Sequence, residues 1–195
     1  MSIYEKVIAR RTTRKYRRAK VPDDVVRKCV DAARMSPIST NHQSLKYVIV
    51  NDENLVAQIF RITTYALLLP KYKPSEAEMP DVFIVILSDE TIQGSKTPWV
   101  PYDVGIATMS ISMVAFDEGI GSCILASTQR NKLREILNIP DHLRIDMLVS
   151  LGYPGNERHV IDKPRNGDVK YWVDDKEVLH VPKRRLEDIL TYNRF

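Results

Sequence analysis

Three stretches of this sequence predict a single domain that mixes helices and strands. Val82 to Leu87 is an unbroken apolar run rich in β-branched residues, which suits a strand covered on both faces. Tyr102 to Glu118 has helical spacing and little polar surface, so it reads as a long helix buried by the core or by a second subunit. The segment opening at Pro22 places Val25, Val26, Cys29, Val30 and Ala33 on one helical face. At 195 residues, 44% hydrophobic and 28% charged, the chain can bury one sizeable core and has the balance of a soluble globular protein.

The elements follow in order. Ser2 and Glu5 form a capping box for a first helix running to about Arg10. The second helix opens at Pro22 and is stopped near Ser36 by Pro37. Leu45 to Val50 reads as a strand, and Asp52 caps a third helix carrying Leu55, Val56, Ile59 and Phe60. Tyr65 to Met79, with two prolines, receives no element and is a candidate flap. Gly119 stops the long apolar helix. Ser122 to Ala126 is the next strand, Ser127 or Thr128 caps a helix to Leu137, and Arg144 to Leu151 is another strand. Gly152-Tyr153-Pro154-Gly155 reads as a turn whose two glycines can adopt positive φ. Val169 to Val173 and Glu177 to Val181 suit a hairpin across Asp174 and Asp175, and Leu186, Ile189 and Leu190 mark a last helix.

Charge singles out one region. The net charge is +4, and seven of the eleven residues from Arg10 to Lys20 are Arg or Lys. Within it, Arg10-Arg11-Thr12-Thr13-Arg14 offers three guanidinium forks and two hydroxyls, a donor set suited to phosphate. A solvated basic helix end and a nucleic-acid surface are the rival readings. Against the second, no zinc-finger spacing, recognition-helix pattern or base-stacking aromatic series is found. A second cationic pair, Lys163 and Arg165, flanks Pro164 on an extended segment. Ile38 to Ser44 is a loop of short hydrogen-bonding side chains, which composition alone reads as a connection. No run is long enough for a membrane span and the first residues lack a signal-peptide pattern, so a cytoplasmic protein is expected. Cys29 and Cys123 are expected to be inert core thiols, and the four histidines show no metal-ligand spacing, so no metal is expected.

Four motifs in register resemble the nitroreductase family of flavoproteins over nearly the whole chain. They are Arg10 to Arg14; Ser36-Pro37-Ile38-Ser39-Thr40-Asn41-His42-Gln43; Gly119-Ile120-Gly121-Ser122-Cys123 after the apolar helix; and Gly152-Tyr153-Pro154 followed by Lys163-Pro164-Arg165. The resemblance implies an α+β fold: a central mixed, mainly antiparallel sheet wrapped by helices, with a long buried central helix. It implies a homodimer with FMN at the interface. Arg10, Lys163 and Arg165 would hold the FMN phosphate, with Arg11 and Thr12 near the phosphate and ribityl chain, and Arg14 beside the N1 and O2 edge of the ring. Ser39, Thr40, Asn41 and Gln43 would touch the flavin, commonly that of the partner subunit, and the backbone of Ala126 and Ser127 would face N5. The implied activity is hydride transfer from NADH or NADPH through N5 to a nitroaromatic, quinone or related acceptor, with ping-pong kinetics and no catalytic side chain. A flavin or nucleotide binder without turnover is the alternative. Ser44-Leu45 stands where the family often has Pro-Trp, and neither Lys71 nor Lys73 matches a family cation clearly. Those departures bear on the substrate more than on the cofactor.

Overall fold

The computed structural model describes residues 1–69, 72–93, 96–164 and 167–194. Its frame is a four-stranded antiparallel sheet in the order β1-β2-β4-β3, formed by β1 (Leu45–Val50), β2 (Val82–Asp89), β3 (Gly121–Leu125) and β4 (Leu143–Gly152). Every residue of the central strand β2 is buried. Alternation decides where each side chain goes: Val82, Ile84 and Ile86 enter one core, and Phe83, Val85 and Leu87 the other. The first core is closed by α2 (Asp23–Arg34) and α4 (Val100–Asp117), the second by α3 (Glu53–Arg61) and α5 (Arg130–Leu137). The architecture is therefore helix, sheet, helix. A parallel bridge from Thr12 to Ser122 adds the basic segment to the outer edge of β3, which makes the sheet mixed.

Most helix ends follow the capping chemistry of the sequence. The Ser2 hydroxyl accepts from Glu5 N while the Glu5 carboxylate accepts from Ser2 N, and Asp52 accepts from Leu55 N at the start of α3. Gly119 ends α4 at φ 74°. The start of α5 differs from expectation. Its cap position is Gln129, which makes no side-chain bond, because Thr64 N takes the Ser127 carbonyl and the Thr128 hydroxyl pairs with that of Thr63. The two residues are recruited to tie down the stretch after α3 instead.

Beyond β4 the chain builds a second small sheet, β5 (Arg158–Asp162), β6 (Trp172–Val173) and β7 (Val178–Pro182), in the order β5-β7-β6. The hairpin of β6 and β7 was expected; the parallel pairing of β5 with β7 was not. The expected last helix is a single 3-10 turn, Leu186–Asp188, with Leu186 and Ile189 exposed. With no neighbour among the described residues to cover that apolar face, little offsets the cost of helix nucleation.

Among the described residues no helix is long and apolar enough to cross a membrane. Cys29 and Cys123 are buried and unpaired by disulfide, and burial pushes their thiols up to about 11 and about 12. Neither should react with Ellman's reagent at pH 8 in the folded protein, while both should react within minutes in guanidinium. A thiol titrated rapidly under native conditions would contradict this placement.

Candidate functional site

The segment after α1 (Ile3–Ala9) is extended, not a solvated helix end. Thr13 N donates to Ser122 O at 2.9 Å, Arg17 N to Tyr153 O at 3.0 Å, and Gly155 N to Lys15 O at 2.9 Å. Tyr16, 2% exposed, donates its hydroxyl to Thr13 O at 2.7 Å and shares it with Ser150 Oγ at 2.8 Å. Room for this thread comes from missing side chains. A Cβ on Gly121 would fall 2.5 Å from Thr13 Oγ1, one on Gly152 2.7 Å from Tyr16 Cδ1, and one on Gly155 2.9 Å from Lys15 O. Neither Gly152 nor Gly155 has positive φ, so these glycines serve close approach and not the turn geometry that the sequence suggested.

A cavity of about 500 Å³ opens on Lys15, Tyr16 and Arg17, and two more open on residues 10–14. One, of about 360 Å³, is lined by Arg10, Thr12, Arg14, His159, Tyr171 and Lys183 among others, and among the described residues no carboxylate lines it. The other, of about 380 Å³, includes Arg10, Arg11, Gly121, Ser122, Glu157 and His159. Arg10, Arg11 and His159 border both, so the cavities adjoin as a two-lobed crevice, the second lobe reaching the start of β3. Arg10 is half-buried and its Nε has no hydrogen-bond partner among the described residues. Burial, and then the like charge of Arg11, hold its pKa below the usual arginine value. An anion in the crevice answers both defects, supplying an acceptor for the orphaned donor and opposite charge for the pair.

The other expected residues divide into several groups. Arg11 turns back, its Nη1 donating to the carbonyls of Ile8 and Arg10, which satisfies the end of α1. Arg14 lies with its guanidinium carbon 5.8 Å from the Tyr171 ring centroid. Lys163 follows β5 and lines neither cavity, and Arg165 lies outside the described residues. The parallel register pairs Asp162 with Pro182, so Lys183 follows β7 beside Lys163, and it is Lys183 that reaches the crevice. Ala126 and Ser127 stand exposed past the far end of β3, on the order of 13 Å from Ser122 by strand rise.

The loop with Ser39, Thr40, Asn41 and Gln43 lines neither cavity of its own chain. Its backbone is strained: Thr40, Asn41 and Gln43 have φ of 50°, 53° and 50°. Asp103, 3% exposed in the first turn of α4, holds it by accepting from Ser39 N at 2.9 Å. Asp103 Oδ2 also sits 3.3 Å from His42 Nε2, close but out of line for a hydrogen bond, and neither atom has another partner among the described residues. An acid in the first turn of a largely apolar helix was the available signal for Asp103.

Glu157 was also missed. Its side chain is 3% exposed, and it accepts from Arg14 N at 2.6 Å, Lys15 N at 3.1 Å and the Tyr72 hydroxyl at 2.9 Å, with His159 Nε2 at 3.9 Å. Burial opposes its ionisation, but His159, the two backbone N–H groups and Tyr72 outweigh that and hold the carboxyl below the usual glutamate range. A depressed folded pKa gives stability that is present above the unfolded glutamate value and is lost as pH falls through the folded one. The i, i+2 spacing of Glu157 and His159 on an extended stretch was the only cue.

Comparison with known proteins agrees with this frame. The nitroreductase family profile matches residues 7–153, from the end of α1 through β4. A provisionally named NADH dehydrogenase/NAD(P)H nitroreductase of Archaeoglobus fulgidus is 30% identical over 159 residues, covering 78% of this chain and 85% of that protein. The crystal structure of a nitroreductase family protein from Clostridium novyi superposes with a TM-score of 0.68 at 28% identity, over 80% of this chain and 87% of that one. A Clostridium difficile protein described as an FMN-dependent nitroreductase gives 0.69 at 21%, over 97% and 98%. The basic thread, the glycines that admit it and the sheet it joins all fall within the matched span or at its edge, and on that match the chain belongs to the nitroreductase family.

Proposed function

We propose that this protein is an FMN-dependent oxidoreductase that uses NADH or NADPH to reduce nitroaromatic, quinone or related acceptors. The observation that carries the reading is Arg10: a half-buried guanidinium with an orphaned Nε beside a like charge, in a crevice with further cations. The names of the Archaeoglobus and Clostridium difficile relatives support both the nicotinamide donor and the flavin. Arg10, Lys183, Lys163 and Arg165 would hold the phosphate. Thr12 would meet the ribityl chain, and Arg11 would steady the end of α1 beside it. Arg14 would stand at the ring edge, where a cation favours negative charge. When bound, FMN supplies hydride transfer between the nicotinamide and the acceptor. The chain's own part is to bind, orient and exclude water.

A homodimer belongs to the same reading. Tyr102 and Ile106 on α4, and Ile3, Tyr4, Val7 and Ile8 on α1, leave apolar side chains exposed in the single chain. A second copy would cover them and bring its Ser39–Gln43 loop to the ring, with Ala126 and Ser127 presenting backbone toward N5. Against a nucleic-acid surface, Lys15, Arg18 and Lys20 are paired with Glu78, Glu53 and Asp81. A cytoplasmic location suits a protein fed by nicotinamide cofactors.

The test is an absorption spectrum of purified protein before and after FMN, then under nitrogen with NADH or NADPH. Bound flavin bands that bleach with the nicotinamide are expected, and bleached protein should recover colour on adding a nitroaromatic or quinone. Protein that gains no flavin after incubation would refute the reading. Flavin that binds but does not turn over with either nicotinamide would leave the non-catalytic binder.

A further inference from the structure

Glu157 is a buried carboxylate among cations, in a crevice whose ligand is expected to be an anion. Electrostatics alone makes that position unfavourable, because a negative charge beside Arg10 and Arg14 weakens their hold on phosphate. What the carboxylate does hold is backbone: Oε2 takes the consecutive N–H groups of Arg14 and Lys15, and Oε1 takes the Tyr72 hydroxyl. Three separate parts of the chain meet on one side chain. These are the basic thread, the stretch between α3 and β2, and the connection from β4 to β5.

We propose that Glu157 is a positioning residue for the flavin site: it clamps the Arg14–Lys15 backbone so that Arg14 faces the crevice, and ties Tyr72 to the same clamp. The proposal rests on the reading of the crevice as the flavin site. It also gives the stretch read from sequence as a flap a defined anchor. Tyr65 and Tyr72 are buried at 2% and 9% exposure, and the Lys15 ammonium lies 4.8 Å from the Tyr72 ring centroid. Glu157 and the cation over the ring therefore add to the other ties between the thread and that stretch, the Tyr16 N to Glu78 O bond at 3.0 Å and the Lys15–Glu78 ion pair. No sequence pattern within the family-matched span includes Glu157, which lies beyond residue 153.

The decisive feature of the test is a sign. Glu157→Gln keeps the shape of the side chain and removes its charge. If Glu157 were only an electrostatic neighbour, the variant would bind FMN more tightly, most clearly at low salt. As a clamp, its loss should weaken binding by about tenfold, as expected from losing hydrogen bonds to a charged acceptor. Tyr72→Phe should give a smaller loss in the same direction, and the double variant should match Glu157→Gln, because Tyr72 acts through the carboxylate. FMN affinity is read by quenching of flavin fluorescence on titrating the apoprotein. Amide hydrogen exchange of the apoprotein is read beside it, and Glu157→Gln should speed exchange at residues 14 and 15 while β2 keeps its protection. Unchanged exchange at these amides, or FMN bound as tightly as by wild type or more tightly, would overturn the proposal. Wild-type protein that binds no FMN would instead refute the flavin reading, and faster exchange in Glu157→Gln would then still report the clamp.

Discussion

Replacing Arg10 with alanine should weaken FMN binding by one to two orders of magnitude without lowering the melting temperature of the apoprotein. The first half follows from the loss of charge-assisted bonds to a phosphate, each worth about 1.5–3 kcal/mol, or roughly 10- to 100-fold in Kd. The second half follows from the state of Arg10 in the free chain. Its Nε has no acceptor among the described residues, and burial and then Arg11 depress its pKa, so its charge is disfavoured by folding and not rewarded by it. Removing the group relieves that disfavour and loses only the packing of its stem. In thermal denaturation with and without FMN, the wild type should gain stability from the ligand by mass action and Arg10→Ala should gain much less. Arg11→Ala should behave in the opposite way. Its guanidinium closes the carbonyls of Ile8 and Arg10, so the apoprotein should lose stability while FMN affinity changes less. Equal FMN affinities for wild type and Arg10→Ala would remove the phosphate assignment.

A methyl group on Gly121 should damage the protein and the site together. The added Cβ would lie 2.5, 2.7 and 2.8 Å from Oγ1, Cβ and Cγ2 of Thr13, so rotating the threonine cannot relieve all three. Thr13 is itself 8% exposed and its N–H is bonded to the Ser122 carbonyl. The thread can move aside only by giving up its pairing with β3. Overpacking of this kind costs about 1–3 kcal/mol, and for a chain of this size each kcal/mol lowers Tm by roughly 2–4 °C. Gly121→Ala should therefore melt several degrees lower, and it should also bind FMN poorly because Thr12 and Arg14 shift with Thr13. Thr13→Gly in the same chain should restore much of the loss, a coupling that independent sites would not show. A Gly121→Ala protein with wild-type Tm and FMN affinity would mean the thread does not lie where the structure puts it.

The family signatures became physical objects only when the chain was folded. The glycines of Gly119-Ile120-Gly121 and Gly152-Tyr153-Pro154-Gly155 do different work at each position. Gly119 takes positive φ to end α4, while Gly121, Gly152 and Gly155 clear a groove for residues 13 to 16. Composition cannot separate these roles, because the first depends on a local dihedral angle and the second on a segment more than a hundred residues away. Glu157, Asp103 and Lys183 carried at most a weak local cue for the same reason. Each is an ordinary charged residue until long-range pairing places it beside Arg14, Ser39 or Arg10.

By itself the sequence determined the elements whose causes are local. The Ser2 and Asp52 caps, the Pro37 stop, the β-branched run of β2 and the unusually apolar α4 all arise from residues a few positions apart, where capping chemistry and periodicity act directly. Tertiary structure alone decided that Ser127 and Thr128 tie down the stretch after α3 and do not cap α5. It decided that β5 pairs in parallel with β7, and that the basic segment is an extended thread anchored by buried Thr13 and Tyr16 and not a solvated helix end. In each of these the backbone groups of one segment are satisfied by a distant one. Burial makes that pairing obligatory, and no local signal names the partner.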